Sequence, residues 1–191
     1  RIPATIALLI ASNLIVSALF GYGSFSETSV ENSAKALFYF AFGLPAFSLI
    51  KVFSSFFFAR HDTKTPFYIS LFSVLLNILI SILLFQKVGF IIIPIATSIS
   101  SWFNAILLYI FSKKKDFFSF NDIFIYRFPR ILISSLIMGL IFYFSLNLLS
   151  EKLIYSENSK FIYLLLTILV ALISYVAVSI FTKAFKMSDI N

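Results

Sequence analysis

Long apolar stretches that alternate with short polar segments dominate the pattern of this chain. A helix needs ~20 mostly apolar residues to cross the hydrocarbon core of a bilayer. Six stretches of about that length occur, at Pro3–Phe20, Ala34–Ala59, Pro66–Phe85, Gly89–Ser112, Phe128–Leu149 and Phe161–Phe181. The pattern therefore predicts an all-α, polytopic membrane protein with six transmembrane helices.

The composition indicates the same class. Apolar residues make up 60% of the 191 residues and charged residues only 12%, whereas soluble domains contain ~45–50% apolar residues. The net charge is +7, but the basic residues stand at the ends of the apolar stretches. That distribution is typical of membrane topology and argues against nucleic acid as a partner. Cysteine is absent, so the chain has no disulfide framework.

The basic residues also predict the orientation of the spans. If the helices alternate in direction, one side of the membrane receives ten of them: Arg1, Arg60, Lys64, Lys113, Lys114, Lys115, Arg127, Arg130, Lys183 and Lys186. The other side receives four, namely Lys35, Lys87, Lys152 and Lys160. By the positive-inside rule, both ends of the chain then lie in the cytoplasm. Because the chain starts at Arg1 without a signal peptide, we expect a fragment of a longer protein.

Three segments resemble a known family. Residues 42–66 contain Phe-Gly-Leu-Pro-Ala-Phe, then Lys-Val, then Phe-Ala-Arg-His-Asp-Thr-Lys-Thr-Pro. Leu19–Ser26 has the form Leu-Phe-x-x-Gly-x-Phe-Ser, and Asn104–Tyr109 precedes a basic run. Over residues 3–115 the chain is similar to the C-terminal half of the MurJ/MviN lipid II flippases, whose superfamily includes the MATE exporters and the O-antigen flippases. Beyond residue 115 only the pattern of helices agrees.

The resemblance implies the last six helices of a flippase in a bacterial inner membrane. Residues 1–115 would hold the last four helices of its second lobe, 116–127 an interfacial connector, and 128–191 two terminal helices with a lipid-facing groove. The whole protein would move the polyprenyl-pyrophosphate-linked peptidoglycan precursor, lipid II, to the outer leaflet by alternating access. Its partners would be this precursor, membrane lipids and the missing N-terminal helices of the same protein.

Other functions stay open at this point. Another transporter of the superfamily would share the helix pattern, although the Gly23–Ser26 loop and the Arg60–Pro66 segment argue against it. A non-transporting scaffold for cell-wall synthesis would need no cation inside a span. An enzyme would need convergent acids or a nucleophile, and the sequence shows no such set and no cofactor or metal motif.

Lys51 is the one ionisable residue deep within a predicted span. It lies nine residues before Arg60, which is ~13 Å along a helix. A lysine near the bilayer centre costs ~2.5–3.5 kcal/mol on insertion scales and normally faces a bundle interior or a wet cavity. Lys51 is therefore our candidate for the path of a phosphate-bearing substrate. A lysine that extends to the cytoplasmic interface is the alternative.

The short segment between the second and third spans carries Arg60, Asp62 and Lys64, followed by Pro66. Proline suits the first turn of a helix, where its missing N–H leaves no helical bond unmade. Asp62 can pair with either base, or it can cap the third helix. The three charged residues are candidates for a cytoplasmic gate. The alternative is an ordinary exposed loop, whose ion pairs contribute ~0–1 kcal/mol.

Asn77 and Asn104 are amides at membrane depth, where such groups usually form hydrogen bonds between helices. Asn77 and Ser81 share a helix face, and Thr97 follows on the next helix across a short hairpin. These three side chains form a weak candidate site for Na⁺, since no acid lies within a span.

Two prolines and two connecting segments complete the set of candidates. Pro45 and Pro94 are predicted inside helices, where each permits a kink, and are hinge candidates. The loop at residues 21–33 is long enough to cover the outer mouth of a cavity, although a plain solvated loop fits equally well. The basic and aromatic residues 113–120 predict a connector at the membrane interface.

Overall fold

The computed structural model describes residues 1–118, 122–153 and 159–182, and within them it contains α-helices, two single-turn 3₁₀ helices and no strand. The long helices are α1 (Ile2–Phe20), α2 (Glu27–Phe58), α3 (Lys64–Val88), α4 (Ile92–Lys114), α5 (Asp122–Leu148) and α6 (Lys160–Phe181). The predicted all-α class is confirmed. Lys183 and Lys186, which entered the orientation count, lie outside the described residues.

Apolar helical stretches long enough to cross a membrane number five in the described residues: Ile2–Phe20, Glu27–Phe58, Lys64–Lys114, Tyr126–Leu148 and Lys160–Phe181. The third of them contains both α3 and α4, because only the 3₁₀ turn Gly89–Ile91 separates these two helices. Gly89 has φ +75° and ψ −156°, a conformation that essentially only glycine adopts. The class of multi-pass membrane protein is confirmed, and the predicted count of six spans exceeds the apolar stretches by one.

Two helices begin before the predicted spans. α2 begins at Glu27, seven residues before Ala34, because the Ser26 hydroxyl accepts a hydrogen bond from the Ser29 N–H at 3.3 Å and caps the helix. The long loop predicted at residues 21–33 is therefore reduced to residues 21–26. α5 begins at Asp122 and holds Pro129 inside it, so residues 122–127 of the predicted connector are helical. Connector residues 119–121 lie outside the described residues.

The chain forms two compact units. The first consists of residues 36–120 together with Arg1, and it contains most of α2 with α3 and α4. Its apolar core joins the three helices through Phe53, Phe57, Ile69 and Leu108. Rings of Phe117 and Phe118, which follow α4, pack against the same core. This unit contains Lys51, the charged α2–α3 turn and the two membrane-depth asparagines.

The second unit consists of residues 2–35 and 121–191, and it brings α1 against α5 and α6. Its core contains Ala11, Ala18, Met138, Phe142, Leu146, Leu153, Leu164 and Ala171. α1 is kinked at Ala11, which has the non-helical angles φ −116° and ψ 19°. Neither proline nor glycine lies at that position, so the sequence carried no local signal for the kink. The proposed division at residues 115 and 128 follows the family's lobes and stays a prediction.

Gly139 on α5 packs directly against α1. A Cβ atom at this position would lie 2.6 Å from Ile6 Cγ2 and 3.3 Å from Ile10 Cδ1. Overpacking of this kind typically costs ~1–3 kcal/mol. We therefore expect Gly139→Ala to lower the melting temperature in detergent, and Ile6→Ala to relieve part of that loss. Additive effects of the two substitutions would contradict a direct steric contact.

Candidate functional site

The α2–α3 turn is shaped by the way α2 ends. The N–H of Asp62 donates to the Phe57 carbonyl and the N–H of His61 donates to the Phe58 carbonyl, each at 3.0 Å. His61 has φ +57°. This is a Schellman ending with a left-handed residue that is usually glycine. The chain therefore reverses within a few residues, and the Asp62 side chain is free to interact with α3.

The end of α4 has the same geometry. The N–H of Phe117 donates to the Ser112 carbonyl at 2.8 Å and the N–H of Asp116 donates to the Lys113 carbonyl at 3.1 Å. Asp116 has φ +54°. Because the α2 and α4 endings lie at the same end of the unit, Lys115 comes within reach of the α2–α3 turn.

Asp62 connects the three helices at this end. Its Oδ1 accepts the Thr65 N–H at 3.1 Å and its Oδ2 accepts the Thr65 hydroxyl at 2.8 Å. Lys115 Nζ donates to the same Oδ2 at 2.6 Å. These bonds, the one from Lys115 foremost, lower the pKa of Asp62 to about 2. The predicted capping of α3 is confirmed, whereas the ion-pair partner is Lys115 and neither Arg60 nor Lys64.

The other two bases of the turn have different surroundings. The Arg60 guanidinium lies over the Phe117 ring, 4.5 Å from its centroid, and donates to the Phe56 carbonyl at 3.2 Å. Arg60 is thereby directed toward the end of α4 and away from Asp62. Lys64 is exposed and has no ion pair among the described residues. Arg60 and Lys64 thus contribute positive charge that Asp62 does not neutralise.

The Asp62 contacts predict a pH-dependent stability. The folded state holds the pKa of this carboxyl below the ordinary value of 3.8, so its stabilisation is present above pH ~4 and is lost as the pH falls through ~2. Because the Lys115 side chain is 41% exposed, we expect Asp62→Asn to cost only about 1 kcal/mol at neutral pH. Thermal unfolding in detergent from pH 7 to 2 measures this difference.

Asp116→Asn is the matched control for that measurement, because Asp116 lies at the same end of the unit and makes no ion pair within the described part of the chain. The two variants should converge in stability at the acidic limit. An Asp62→Asn deficit that persists unchanged at pH 2 would show that the charge of Asp62 is not the cause.

Lys51 lies on α2, seven residues before its last residue, Phe58. Its side chain is exposed, and it has neither a hydrogen bond nor an ion pair to the described residues. A cation in an apolar helix surface requires compensation by water, by an anion or by another part of the protein. Lys51 is therefore an exposed cation on the surface of α2, and its place on a substrate path stays a prediction.

The structure brings Asn77, Ser81 and Thr97 together. Asn77 Nδ2 donates to Thr97 Oγ1 at 3.1 Å and to Ser100 Oγ at 3.2 Å, and the Ser81 hydroxyl donates to Asn77 Oδ1 at 3.3 Å. The four side chains satisfy one another as a hydrogen-bonded network between α3 and α4. Among the described residues no group of three His, Cys, Asp or Glu side chains could hold a metal ion. The Na⁺ role stays a prediction.

Asn104 is buried on α4 and donates to Ser70 Oγ at 3.4 Å, while its Oδ1 has no partner in the described structure. It borders a cavity of about 250 Å³ between α2, α3 and α4. The cavity is lined by Phe47, Ile50, Ser70, Ser73, Val74, Asn77, Ile78, Ser100, Ser101 and Asn104. Both membrane-depth asparagines thus line the same cavity inside the first unit, and the asparagine and serine side chains of its lining form what we call the polar seam.

The two hinge candidates differ in position. Pro45 lies inside α2, as predicted. Pro94 lies within α4, as predicted, but it is the third residue of that helix. In the first turn no backbone N–H is needed for the helical ladder, and a proline there causes no kink. The hinge role of Pro45 stays a prediction.

Sequence reasoning missed Lys160, which it counted as a loop charge. Lys160 is the first residue of α6 and is only 1% exposed. Its Nζ donates to the Gly21 carbonyl at 2.7 Å and lies 4.4 Å from the centroid of the Tyr22 ring. The only signal in the sequence is its place directly before an apolar run. Its partner, more than 130 residues earlier, has no local signature.

These features define a multi-pass α-helical membrane protein, with a charged turn at one end of a helix trio and a polar seam within it. Within that class, sequence comparison identifies one family. The sequence model of the family described as lipid II flippase MurJ matches residues 1–164, and the chain belongs to this family. The resemblance drawn from the motifs is confirmed.

Individual relatives agree with the family. The probable lipid II flippase MurJ of Rickettsia prowazekii is 40% identical over 114 residues, which are 60% of this chain and 22% of that protein. The corresponding protein of Rhizobium meliloti is 35% identical over 152 residues, 80% of this chain and 28% of that one. A solved structure of lipid II flippase MurJ in an inward closed conformation has a TM-score of 0.75 at 27% identity, covering 95% of this chain and 36% of its own. The chain thus spans between about a fifth and about a third of these proteins.

Proposed function

We propose that the protein containing this chain moves lipid II from the inner to the outer leaflet of a bacterial cytoplasmic membrane. The observation that carries the proposal is the match of the lipid II flippase family over residues 1–164. The transport would proceed by alternating access, in which two lobes rock around a shared cavity, without a bond being made or broken. The helices that this chain lacks relative to its relatives would supply the other side of the cavity.

Lys51 would act on the route of the substrate headgroup. The pyrophosphate of lipid II cannot enter hydrocarbon without a compensating charge, because an unpaired ion in a low-dielectric medium is strongly disfavoured. Lys51 is exposed on α2 and has no partner among the described residues. Its ammonium group would thus be available to a passing phosphate, and a lysine stem of four methylene groups can lie along an apolar helix.

The charged turn would form part of the cytoplasmic gate, with Arg60, Asp62 and Lys64 in different roles. Asp62 and Lys115 belong to the same compact unit, so their ion pair would brace the end of this unit during the transport cycle. Arg60 and Lys64 are exposed, and they are the residues available to a partner on another part of the protein. Both ends of the chain would lie in the cytoplasm.

The terminal helices α5 and α6 would shelter the polyprenyl tail. Large apolar side chains are exposed along both, including Leu140, Phe144, Ile162 and Ile173. An isoprenoid chain needs only such an apolar surface, since it has no polar group to satisfy. The substrate would then be divided, with its headgroup in the cavity and its tail in lipid.

The full-length protein, expressed as the sole lipid II flippase in a bacterium depleted of its own, tests the proposal. Lipid II accessible on the outer leaflet should be restored to the level given by the native flippase. A well-folded, correctly inserted protein that leaves lipid II inside would contradict the substrate assignment. Another saccharide-lipid flippase or a non-transporting scaffold would then fit better.

A further inference from the structure

α4 holds α2 through the backbone of α2. The Ser98 hydroxyl donates to the Tyr39 carbonyl at 2.6 Å, and the indole N–H of Trp102 donates to the Phe42 carbonyl at 2.9 Å. Ser98 and Trp102 are one turn apart on α4, and the two carbonyls are three residues apart on α2. Both bonds therefore join the same pair of helix faces.

Small residues allow this approach. A Cβ atom on Gly43 would lie 3.0 Å from Ser98 Oγ and 3.4 Å from Ser98 Cα, so any larger residue would require Ser98 to shift by a few tenths of an ångström. Ala46 and Ala96 are completely buried and Ala41 nearly so. In a membrane, where apolar side chains gain little by leaving lipid, small-residue contacts and interhelical hydrogen bonds determine how helices pack.

The two bonds bracket the weakest part of α2. Pro45 has no N–H, so the Ala41 carbonyl has no helical donor, and the ladder is interrupted there. The carbonyls of Tyr39 and Phe42 lie on either side of Ala41 in sequence. Farther along α2, Phe53 and Phe57 pack into an apolar core, whereas at this point the contact with α4 includes bonds to carbonyl oxygens, which are directional. The two bonds thus constrain the rotation of α2 about its own axis at this point.

That rotation determines where Lys51 points. The residues of α2 that face α4 and α3 include Gly43, Ala46, Phe53 and Phe57. At 100° per residue, Lys51 lies roughly 125° around the helix from the mean direction of this face. Its side chain is accordingly exposed. A rotation of one residue would bring it toward the edge of the helix contact.

We propose that Ser98 and Trp102 are positioning residues for Lys51: by holding the Tyr39 and Phe42 carbonyls they fix the rotation of α2 at Pro45 and direct Lys51 away from α3 and α4. The proposal deepens the proposed function and rests on it for the role of Lys51. Whether the two bonds fix the rotation of α2 does not depend on which substrate the protein transports.

Spin labelling of the full-length protein tests the rotation directly. Nitroxide side chains are placed singly at positions 48, 50, 51, 52, 54 and 55, and their collision rates with oxygen and with a nickel chelate are measured in lipid vesicles. The parent profile should follow the helical period with a maximum of exposure near position 51. With Ser98→Ala and Trp102→Phe together, the position of maximum exposure should move by about one residue, or ~100° around the helix. If α2 instead rotates freely, the difference in exposure between successive positions should become smaller. Each lost hydrogen bond shifts such an equilibrium roughly fivefold.

Ser101→Ala and Phe103→Leu are matched controls. The Ser101 hydroxyl donates to the Thr97 carbonyl of its own helix at 2.6 Å. Phe103 lies beside Trp102 in an apolar groove between α2 and α4. The controls should keep the parent profile. If the double variant does not fold, Trp102→Phe alone, which keeps an aromatic ring, gives the same comparison.

Lipid II exposure is measured in parallel on unlabelled variants. A shifted profile with lost exposure supports the proposal in full, and an unchanged profile overturns it whatever the exposure. A shifted profile with normal exposure would overturn the link to Lys51 while leaving the flippase assignment in place. If the unmodified protein restores no exposure, the proposed function fails, and the profile still decides whether these residues set the rotation.

Discussion

Lys51→Ala should reduce outer-leaflet lipid II by at least ~10-fold in cells that depend on this protein, at matched membrane levels. A loss of about 1.4 kcal/mol of transition-state stabilisation is enough for that change. We expect this loss because Lys51 is a cation within an apolar helix and has no partner among the described residues. Its removal would leave the pyrophosphate without that compensating charge at this point of the path.

Lys51→Arg should retain most of the activity, and Lys51→Glu should be more damaging than alanine, since it repels a phosphate. Lys35→Ala is the matched control, because Lys35 lies on the same helix and is paired with Glu31 at 2.7 Å in an exposed position. Activity of Lys51→Ala equal to that of the parent protein would contradict a role on the substrate path. Lys51 would then be a residue whose amine simply reaches the cytoplasmic interface.

Lys160→Met should lower the free energy of unfolding by about 2 kcal/mol, the usual size for the loss of a hydrogen bond that involves a charged group. Lys160 is 1% exposed and donates to the Gly21 carbonyl at 2.7 Å. Methionine preserves the length of the side chain and its apolar contacts, but it leaves that carbonyl without the donor. The Tyr22 ring also loses the cation that lies 4.4 Å from its centroid.

Chemical or thermal unfolding of the purified protein in detergent, followed by circular dichroism, measures the effect. Lys152→Met is the control, since Lys152 is an exposed lysine at the end of the 3₁₀ turn Ser150–Lys152. The control should change stability by less than ~0.5 kcal/mol. Equal stability of Lys160→Met and the parent protein would show that the contact contributes nothing to the second unit.

The helices, their class and much of the α2–α3 turn could be predicted from the sequence because each depends on local rules. Bilayer thickness sets the length of an apolar run, so the spans follow from counting. Asp62 caps α3 because a carboxylate just before a helix start finds free N–H groups nearby. The approach of Asn77, Ser81 and Thr97 followed from helix periodicity and a short hairpin.

The predicted helix boundaries differ from the structure where two local signals in the sequence favour different boundaries. The sequence predicts too late a start for α2, because the polar residues after Ser26 indicate a loop. Ser26 nevertheless caps the helix, and serine is a favoured residue at that position. The sequence predicts a start at Gly89 for the fourth span, whereas α4 begins at Ile92, so Pro94 falls in its first turn.

Pairings between distant residues were decided by the tertiary structure alone. Asp62 bonds to Lys115, 53 positions away, Lys160 to Gly21, 139 positions away, and Trp102 to Phe42, 60 positions away. Each depends on which face a helix turns toward its neighbour, and in a chain so uniformly apolar the pattern distinguishes faces poorly. The sequence by itself determined the helices and their class. The membrane sets the length of an apolar span, and it requires the backbone N–H and C=O groups to form hydrogen bonds within the helix. Packing decided the contacts, because rotation and close approach depend on single small or polar residues meeting across helices.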